Sequence, residues 1–305
     1  MTTVCRDGRQ DGFGWAVCGA SVTGQEHERR GLGCDDAYSY GVAGDFIVAA
    51  VADGAGSVTG TSAWGAHAAC RSVLDRALQP RFIEDYRIAT PDRAKQMLRW
   101  LFDGALERVT AQAGALGLDV VLLSTTLSVA VVDRRLASFG QIGDGVIAAD
   151  LDGGVETLLV EPKDEYANTT SFLQSERALE NAFRTTVRTG VTAFALSTDG
   201  MSYKITNIAT GEPYEPFFRG SWQHVRAGTG ADQLAALLRG ITDDQTGDDK
   251  TLVLAATEPE SAVVSPGPFR TQWSDPPSPE DIMTNPAPQP VSQSSRAKRR
   301  PRWWR

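Results

Sequence analysis

Phe46-Ile-Val-Ala-Ala-Val-Ala-Asp53-Gly-Ala-Gly-Ser57 joins seven apolar residues to an acid and a glycine. A run this short predicts a buried strand that ends at Asp53 and delivers its carboxylate there. Two more acids stand in the same setting: Asp144-Gly145 follows Phe139-Gly-Gln-Ile-Gly143, and Asp199-Gly200 follows Phe194-Ala-Leu-Ser-Thr198. In each case the glycine can adopt positive φ and lets another group approach the backbone. Asp35-Asp36 and Asp248-Asp249 add two acidic pairs beside strand-like segments. Hard divalent cations take oxygen ligands, so carboxylates converging from several strand ends suit a magnesium- or manganese-type site. Asp-Gly is equally the strongest short hairpin signal. The chain has seven such pairs, and those at Asp7, Asp11, Asp103 and Asp152 have no comparable strand before them, so turn and metal ligand stay open as readings of the pattern alone.

Outward from this strand, residues 63–78 have helical spacing, and Thr90-Pro91 supplies an N-cap with proline at the first helical position. Ala94, Met97, Leu98, Leu101, Ala105 and Val109 then mark one apolar helix face. Beyond Gly117 the pattern becomes β: 125–132, 136–142, 146–150, 155–160, 183–188 and 192–197, then a short helix at 232–239 and a last strand at 251–256. Meanders with two consecutive helices between them predict an α+β fold, antiparallel sheet packed under helices.

The 305 residues are 41% hydrophobic and 22% charged, an ordinary globular composition with ample length for a core. The longest apolar run is too short for a bilayer, and Arg6, Asp7 and Arg9 leave no apolar stretch for a secretory signal. Cys5, Cys18, Cys34 and Cys70 form no CxxC pair, so neither a disulfide framework nor a zinc site is expected, and the protein reads as cytoplasmic. Composition shifts near Ala256, and ten of the fifteen prolines lie in 258–305, which predicts a domain at 1–257 and a disordered Pro-rich tail at 258–305. The tail ends in Arg296-Ala-Lys-Arg-Arg-Pro-Arg-Trp-Trp-Arg305, a segment suited to an acidic partner or an anionic membrane with Trp303 and Trp304 as anchors. Without the tail the body carries 23 basic against 33 acidic residues, so binding to nucleic acid through its phosphates is not expected.

No GxSxG elbow, HExxH helix or GxxxxGK loop is present, and Gly54-Ala-Gly56 lacks the later glycine and acid of a dinucleotide fingerprint. Six segments in order, Gly33-Cys-Asp-Asp-Ala37, Val51-Ala-Asp-Gly-Ala-Gly-Ser57, Ser124-Thr-Thr-Leu127, Gly140-Gln-Ile-Gly-Asp-Gly145, Leu196-Ser-Thr-Asp-Gly-Met201 and Gly247-Asp-Asp-Lys-Thr-Leu252, resemble the PPM-type (type 2C) metal-dependent serine/threonine protein phosphatases. Cys34 before the first acidic pair and Glu165-Tyr-Ala-Asn-Thr-Thr-Ser-Phe172 look like a bacterial branch.

The resemblance implies an αββα sandwich, two antiparallel sheets flanked by helices with a two-metal site at one end. It implies Mn2+ or Mg2+, two ions with a place for a third. Asp53 would bridge both metals and the Gly54 carbonyl would bind one; Asp199 and Asp248 would complete the first metal's ligands. Asp35 would serve the second metal, with Asp36 supporting it through water, and Asp144 with Asp199 would hold a third. The implied reaction is hydrolysis of phosphoserine and phosphothreonine in proteins by a metal-bridging hydroxide, with Asp53 and Asp199 central to catalysis. Substrates would be phosphoproteins, a bacterial Ser/Thr kinase or its targets among them.

Two departures stand out. Asp35 occupies a position where the family commonly has Glu, one methylene longer. The family's phosphate-binding Arg falls at Gly31, which leaves Arg30, Arg29 or His27 to reach the phosphate from a differently shaped loop. The alternative that these departures favour is a catalytically weak pseudophosphatase that binds phosphoproteins or scaffolds a Ser/Thr kinase. His67 and His224 are expected to be structural.

Overall fold

The computed structural model describes residues 14–55, 60–152, 154–159, 170–242, 246–258 and 270–278. Its strands are β1 (Trp15–Val22), β2 (Asp36–Ala43), β3 (Phe46–Asp53), β4 (Leu127–Val132), β5 (Ala137–Ile142), β6 (Val146–Leu151), β7 (Gly154–Leu158), β8 (Arg184–Arg188), β9 (Ala193–Ser197), β10 (Lys250–Thr257) and β11 (Arg270–Trp273). Its helices are α1 (Gln25–Arg30), α2 (Ser62–Ala77), α3 (Pro80–Arg87), α4 (Pro91–Leu116), α5 (Ala178–Asn181), α6 (Ser202–Ile205), α7 (Glu215–Arg226) and α8 (Ala231–Arg239). One sheet runs β1-β10-β9-β6-β7 and the other β11-β2-β3-β4-β5-β8, with antiparallel pairing throughout. This is the expected α+β sandwich with helices outside both sheets.

β3 shows why its sequence is continuously apolar instead of alternating. Ile47, Ala49 and Val51 pack with Trp15, Phe139, Phe194 and Val253 in the core between the sheets. Phe46, Val48 and Ala50 face the other way, into a layer with Val73, Leu98, Leu101 and Phe102 of α2 and α4. A strand covered on both faces needs apolar side chains at every position. Each fully buried Val or Ile contributes roughly 1.5–3 kcal/mol. The outer face of the first sheet is covered by Phe218, Trp222, Leu234 and Leu238 of α7 and α8, and the Trp222 indole donates to the Phe194 carbonyl at 3.0 Å.

The helix predicted at Thr90-Pro91 is α4, with the Thr90 hydroxyl accepting from the Arg93 amide at 3.3 Å. The chain also returns to the fold beyond residue 257. Arg270–Trp273 pairs with β2, from Arg270 opposite Val42 to Trp273 opposite Ser39. Composition cannot reveal this four-residue edge strand, because backbone hydrogen bonds and the Arg71 guanidinium, 4.0 Å over the Trp273 ring, hold it. The rest of the expected tail, 259–269 and 279–305, lies outside the described residues.

Strand direction gathers the acids. β2 begins at Asp36 directly opposite Asp53, where β3 ends. β9 ends at Ser197, opposite Val146 at the start of β6 and Leu252 near the start of β10. Asp144, Asp199 and Asp248 therefore sit in the segments that enter or leave these strands at one end of the sandwich.

Candidate metal centre

Backbone contacts fix the turn after β3. The Asp53 carbonyl accepts the Thr126 amide at 2.8 Å and the Thr125 hydroxyl at 3.0 Å, while the Thr126 hydroxyl accepts the Asp53 amide at 3.0 Å. The Gly54 amide donates to the Asp35 carbonyl at 3.1 Å. A Cβ on Gly54 would lie 2.7 Å from that carbonyl oxygen and 2.8 Å from the Ser62 carbonyl carbon, so no larger residue fits. Gly200 serves the same end, since its Cβ would meet the Asp249 carbonyl oxygen at 2.0 Å.

A cleft of about 310 Å³ collects Asp53, Asp144, Asp199 and Asp248 together with His27, Arg30, Thr170 and Phe172. The proton affinity of Asp53 is raised, first by burial and then by the charges of Asp36, Asp199, Asp248 and Asp144. Asp199 rises to about 7, through burial and then Asp144 and Asp248. Asp248 is also raised, chiefly by burial. Asp144 is exposed and accepts the Thr170 hydroxyl at 2.8 Å. Thr170 and Phe172 bring the end of the mid-chain segment noted in the sequence to the cleft; residues 160–169 lie outside the described residues.

Asp35 and Asp36 are both buried but differ in setting. Asp36 heads the charges acting on Asp53, and its carboxylate accepts the Thr198 hydroxyl at 2.7 Å. Asp35 turns to Ser62, whose hydroxyl donates to it at 2.8 Å, and burial foremost raises it to about 6. Both line a separate, larger cavity.

The buried hub of the site is a residue that the sequence reading counted only as half of an acidic pair and gave no role of its own. Asp249 accepts the Gly24 amide at 2.7 Å, the Asp35 amide at 2.6 Å and His27 Nδ1 at 2.9 Å. It thereby ties α1, the loop before β2 and the loop before β10 together. The only prior signal is its place beside Asp248. The Asp249 hydrogen bond is the largest influence raising His27 to about 9, which leaves the imidazole protonated at neutral pH and Nε2 as its second N–H donor. One donor atom each from His27, Asp248 and Asp249 lies within 4.8 Å of the others. Arg30 lines the cleft but is exposed and paired with Glu26 at 2.8 Å; Arg29, also exposed, reaches the same Glu26 at 3.5 Å.

This donor set fits hard divalent cations. Carboxylates held together in a partly desolvated cleft raise one another's proton affinity, and cations remove that repulsion.

The chain is similar to several known proteins. The family model described as "Protein phosphatase 2C" matches residues 23–239. Serine/threonine-protein phosphatase 3 of Escherichia coli (strain K12) is 29% identical over 254 residues, which cover 79% of this chain and 98% of that protein. Among solved structures, a bacterial serine phosphatase superposes with a TM-score of 0.51 at 15% identity, over 79% of this chain and 96% of its own. Serine/threonine phosphatase Stp1 from Staphylococcus aureus gives 0.53 at 14% identity, over 82% and 99%. At these identities the structural likeness establishes the sandwich fold.

Proposed function

The chain belongs to the protein phosphatase 2C family, and from that membership we propose that it hydrolyses phosphoserine and phosphothreonine esters in proteins, using Mn2+ or Mg2+ held at the sandwich end. The observation that carries the reading is the convergence of Asp53, Asp144, Asp199 and Asp248 on one cleft, with Asp36 opposite Asp53. In this reading Asp53, Asp199 and Asp248 would hold one ion. Asp53 and the Gly54 carbonyl would hold another, with Asp36 behind them and Asp35 joining only by leaving Ser62, and Asp144 with Asp199 would offer a place for a third. The ions supply an activated water at neutral pH and positive charge against the phosphoryl oxygens.

The chain's own residues do the rest. The Thr125 and Thr126 contacts fix the turn that presents Asp53, and the Thr198 hydroxyl orients Asp36. Arg30, once it exchanges Glu26 for substrate, offers two guanidinium N–H donors to a phosphate from the rim. Asp249 fixes the His27 ring through Nδ1, so that Nε2–H can donate to the leaving serine or threonine oxygen. Substrates are phosphoproteins, with a bacterial Ser/Thr kinase or its targets as the partner class. We place the protein in the cytoplasm; among the described residues no helix is long and apolar enough to cross a membrane.

The test is hydrolysis of p-nitrophenyl phosphate and a phosphothreonine peptide with manganese, with magnesium and with EDTA, alongside Asp53→Ala and Asp199→Ala. Metal-dependent turnover lost in both variants is expected. Turnover untouched by Asp53→Ala would overturn the site. No turnover by folded wild-type protein on either substrate would leave the pseudophosphatase that binds phosphoproteins.

A further inference from the structure

A cavity of about 610 Å³, roughly twice the volume of the candidate metal cleft, opens beside it. Its walls are the loop before β2, α2 at Ala63 and His67, the first turn of α8, and the segment after β11 as far as Ser278. Part of the lining is small: a Cβ on Gly31 or Gly33 would meet nothing within 4 Å, and Ala20, Ala63 and Ala235 fill little of the space beside Tyr38, His67 and Trp273. A cavity of this size holds a bulky side chain with several neighbours.

Its chemistry is acidic. Among the described residues no Lys or Arg lines it, whereas Asp232 and Asp275 do. Both aspartates are exposed, and neither has an ion-pair partner among the described residues. Asp275 acts electrostatically on His67 and Tyr38, which places it over the cavity. His67 Nε2 is buried and has no hydrogen-bond partner among the described residues. Burial, followed by the charges of Arg71 and Arg108, depresses its proton affinity, so the ring is neutral at physiological pH. In the tautomer with its proton on Nδ1, Nε2 would accept a hydrogen bond from a donor such as an indole N–H once the ring turns toward the cavity. The matching ligand carries several positive charges and an indole.

This chain contains such a segment. Residues 296–305 hold five basic residues followed by Trp303, Trp304 and Arg305, and 17 residues separate them from Ser278 in the cavity wall. Seventeen residues, four of them proline and none glycine, span from about 20 Å as a random coil to about 50 Å as polyproline II. Such a tether gives an effective concentration on the order of millimolar for docking within one molecule, above that of an untethered partner of equal chemistry.

We propose that residues 296–305 dock into this cavity in cis, the basic residues pairing with Asp232 and Asp275 and one tryptophan occupying the space beside His67. β11 is then the staple that fixes where the docking segment departs. The cavity is distinct from the metal cleft, although the loop at Asp35–Asp36 walls it, and the proposal does not depend on the hydrolytic reading.

The test uses the full chain labelled with 5-fluorotryptophan, with the Trp303 and Trp304 19F resonances assigned through Trp303→Phe and Trp304→Phe. At low salt at least one of the two is expected to be broadened and displaced from its position in urea. In the Asp232→Lys/Asp275→Lys double variant, which changes exposed residues outside the cleft, the docking equilibrium should fall by about tenfold or more. The displacement should be independent of protein concentration. Both resonances at their unfolded positions, or a displacement that the charge reversals leave unchanged, would overturn the proposal. So would a displacement that grows with protein concentration, which marks a second copy, or one that appears only with phosphatidylserine vesicles, which marks a membrane.

Discussion

Asp199→Asn should make the metal-free protein more stable and remove its response to metal. The folded state holds the Asp199 carboxyl at about 7 against an ordinary 3.8, through burial and the charges of Asp144 and Asp248. A folded value above the unfolded one means that the native state binds more protons between about pH 4 and pH 7, so this group's contribution declines as pH rises through that window. At about 1.4 kcal/mol per pH unit, a fully desolvated site would lose about 4 kcal/mol by pH 8. Asp199 is part-exposed and shares the cleft with Asp53, and solvent screening reduces the figure to about 2 kcal/mol. For a domain of this size that corresponds to about 4–8 °C in Tm. Thermal unfolding in EDTA should therefore place Asp199→Asn above wild type by that amount at pH 8 and within about a degree of it at pH 3, where the carboxyl is protonated in the folded and the unfolded wild-type chain alike. With manganese at pH 8, wild type should gain stability as RT ln(1 + [Mn]/Kd) requires, while the variant gains little. Equal Tm differences at the two pH values, or a variant less stable than wild type at pH 8 in EDTA, would refute the reasoning.

Asp249→Ala removes one carboxylate but strands the amides of Gly24 and Asp35 and the His27 ring nitrogen, so urea unfolding should show a loss of about 3–5 kcal/mol. His27→Gln should leave kcat/KM for p-nitrophenyl phosphate, a good leaving group, within about threefold and lower that for a phosphothreonine peptide by about 100-fold, because only the poor leaving group needs a proton; equal losses on the two substrates would remove His27 from that role. Arg30→Ala should raise KM several-fold with kcat nearly unchanged, as expected for a rim contact made equally in ground and transition states.

How far the fold was legible depends on how local its causes are. The two-sided burial of β3 is written in seven consecutive apolar residues, and the cap of α4 in Thr90-Pro91, so both follow from the chain itself. β11 is invisible because four residues pair through backbone groups that any sequence provides. The same division runs through the site. Asp53, Asp144 and Asp199 each announce themselves by an apolar strand and a glycine. Asp249 does not, because its partners lie 225, 222 and 214 residues away and exist only once β1, β2 and β10 have been assembled. The relative placing of Asp35 and Asp36 is likewise a matter of register. Asp36 faces Asp53 across β2 and β3, and one residue earlier the chain has left the ladder for Ser62 and the Asp249 hub.

The acidic end is an arrangement the fold sustains against its own electrostatics. Asp35, Asp36, Asp53, Asp199 and Asp248 all have raised proton affinities, and burial is the first cause for each. Few cationic groups among the described residues offset them. His27 is committed to Asp249, Arg30 is held by Glu26 at the rim, and the Lys250 ammonium reaches the Asp248 carbonyl at 3.4 Å. A site selected for stability alone would replace one of these acids by an amide or an apolar residue. Retaining them is consistent with a centre whose charge is completed from outside, and three packed apolar layers supply the stability that this retention costs.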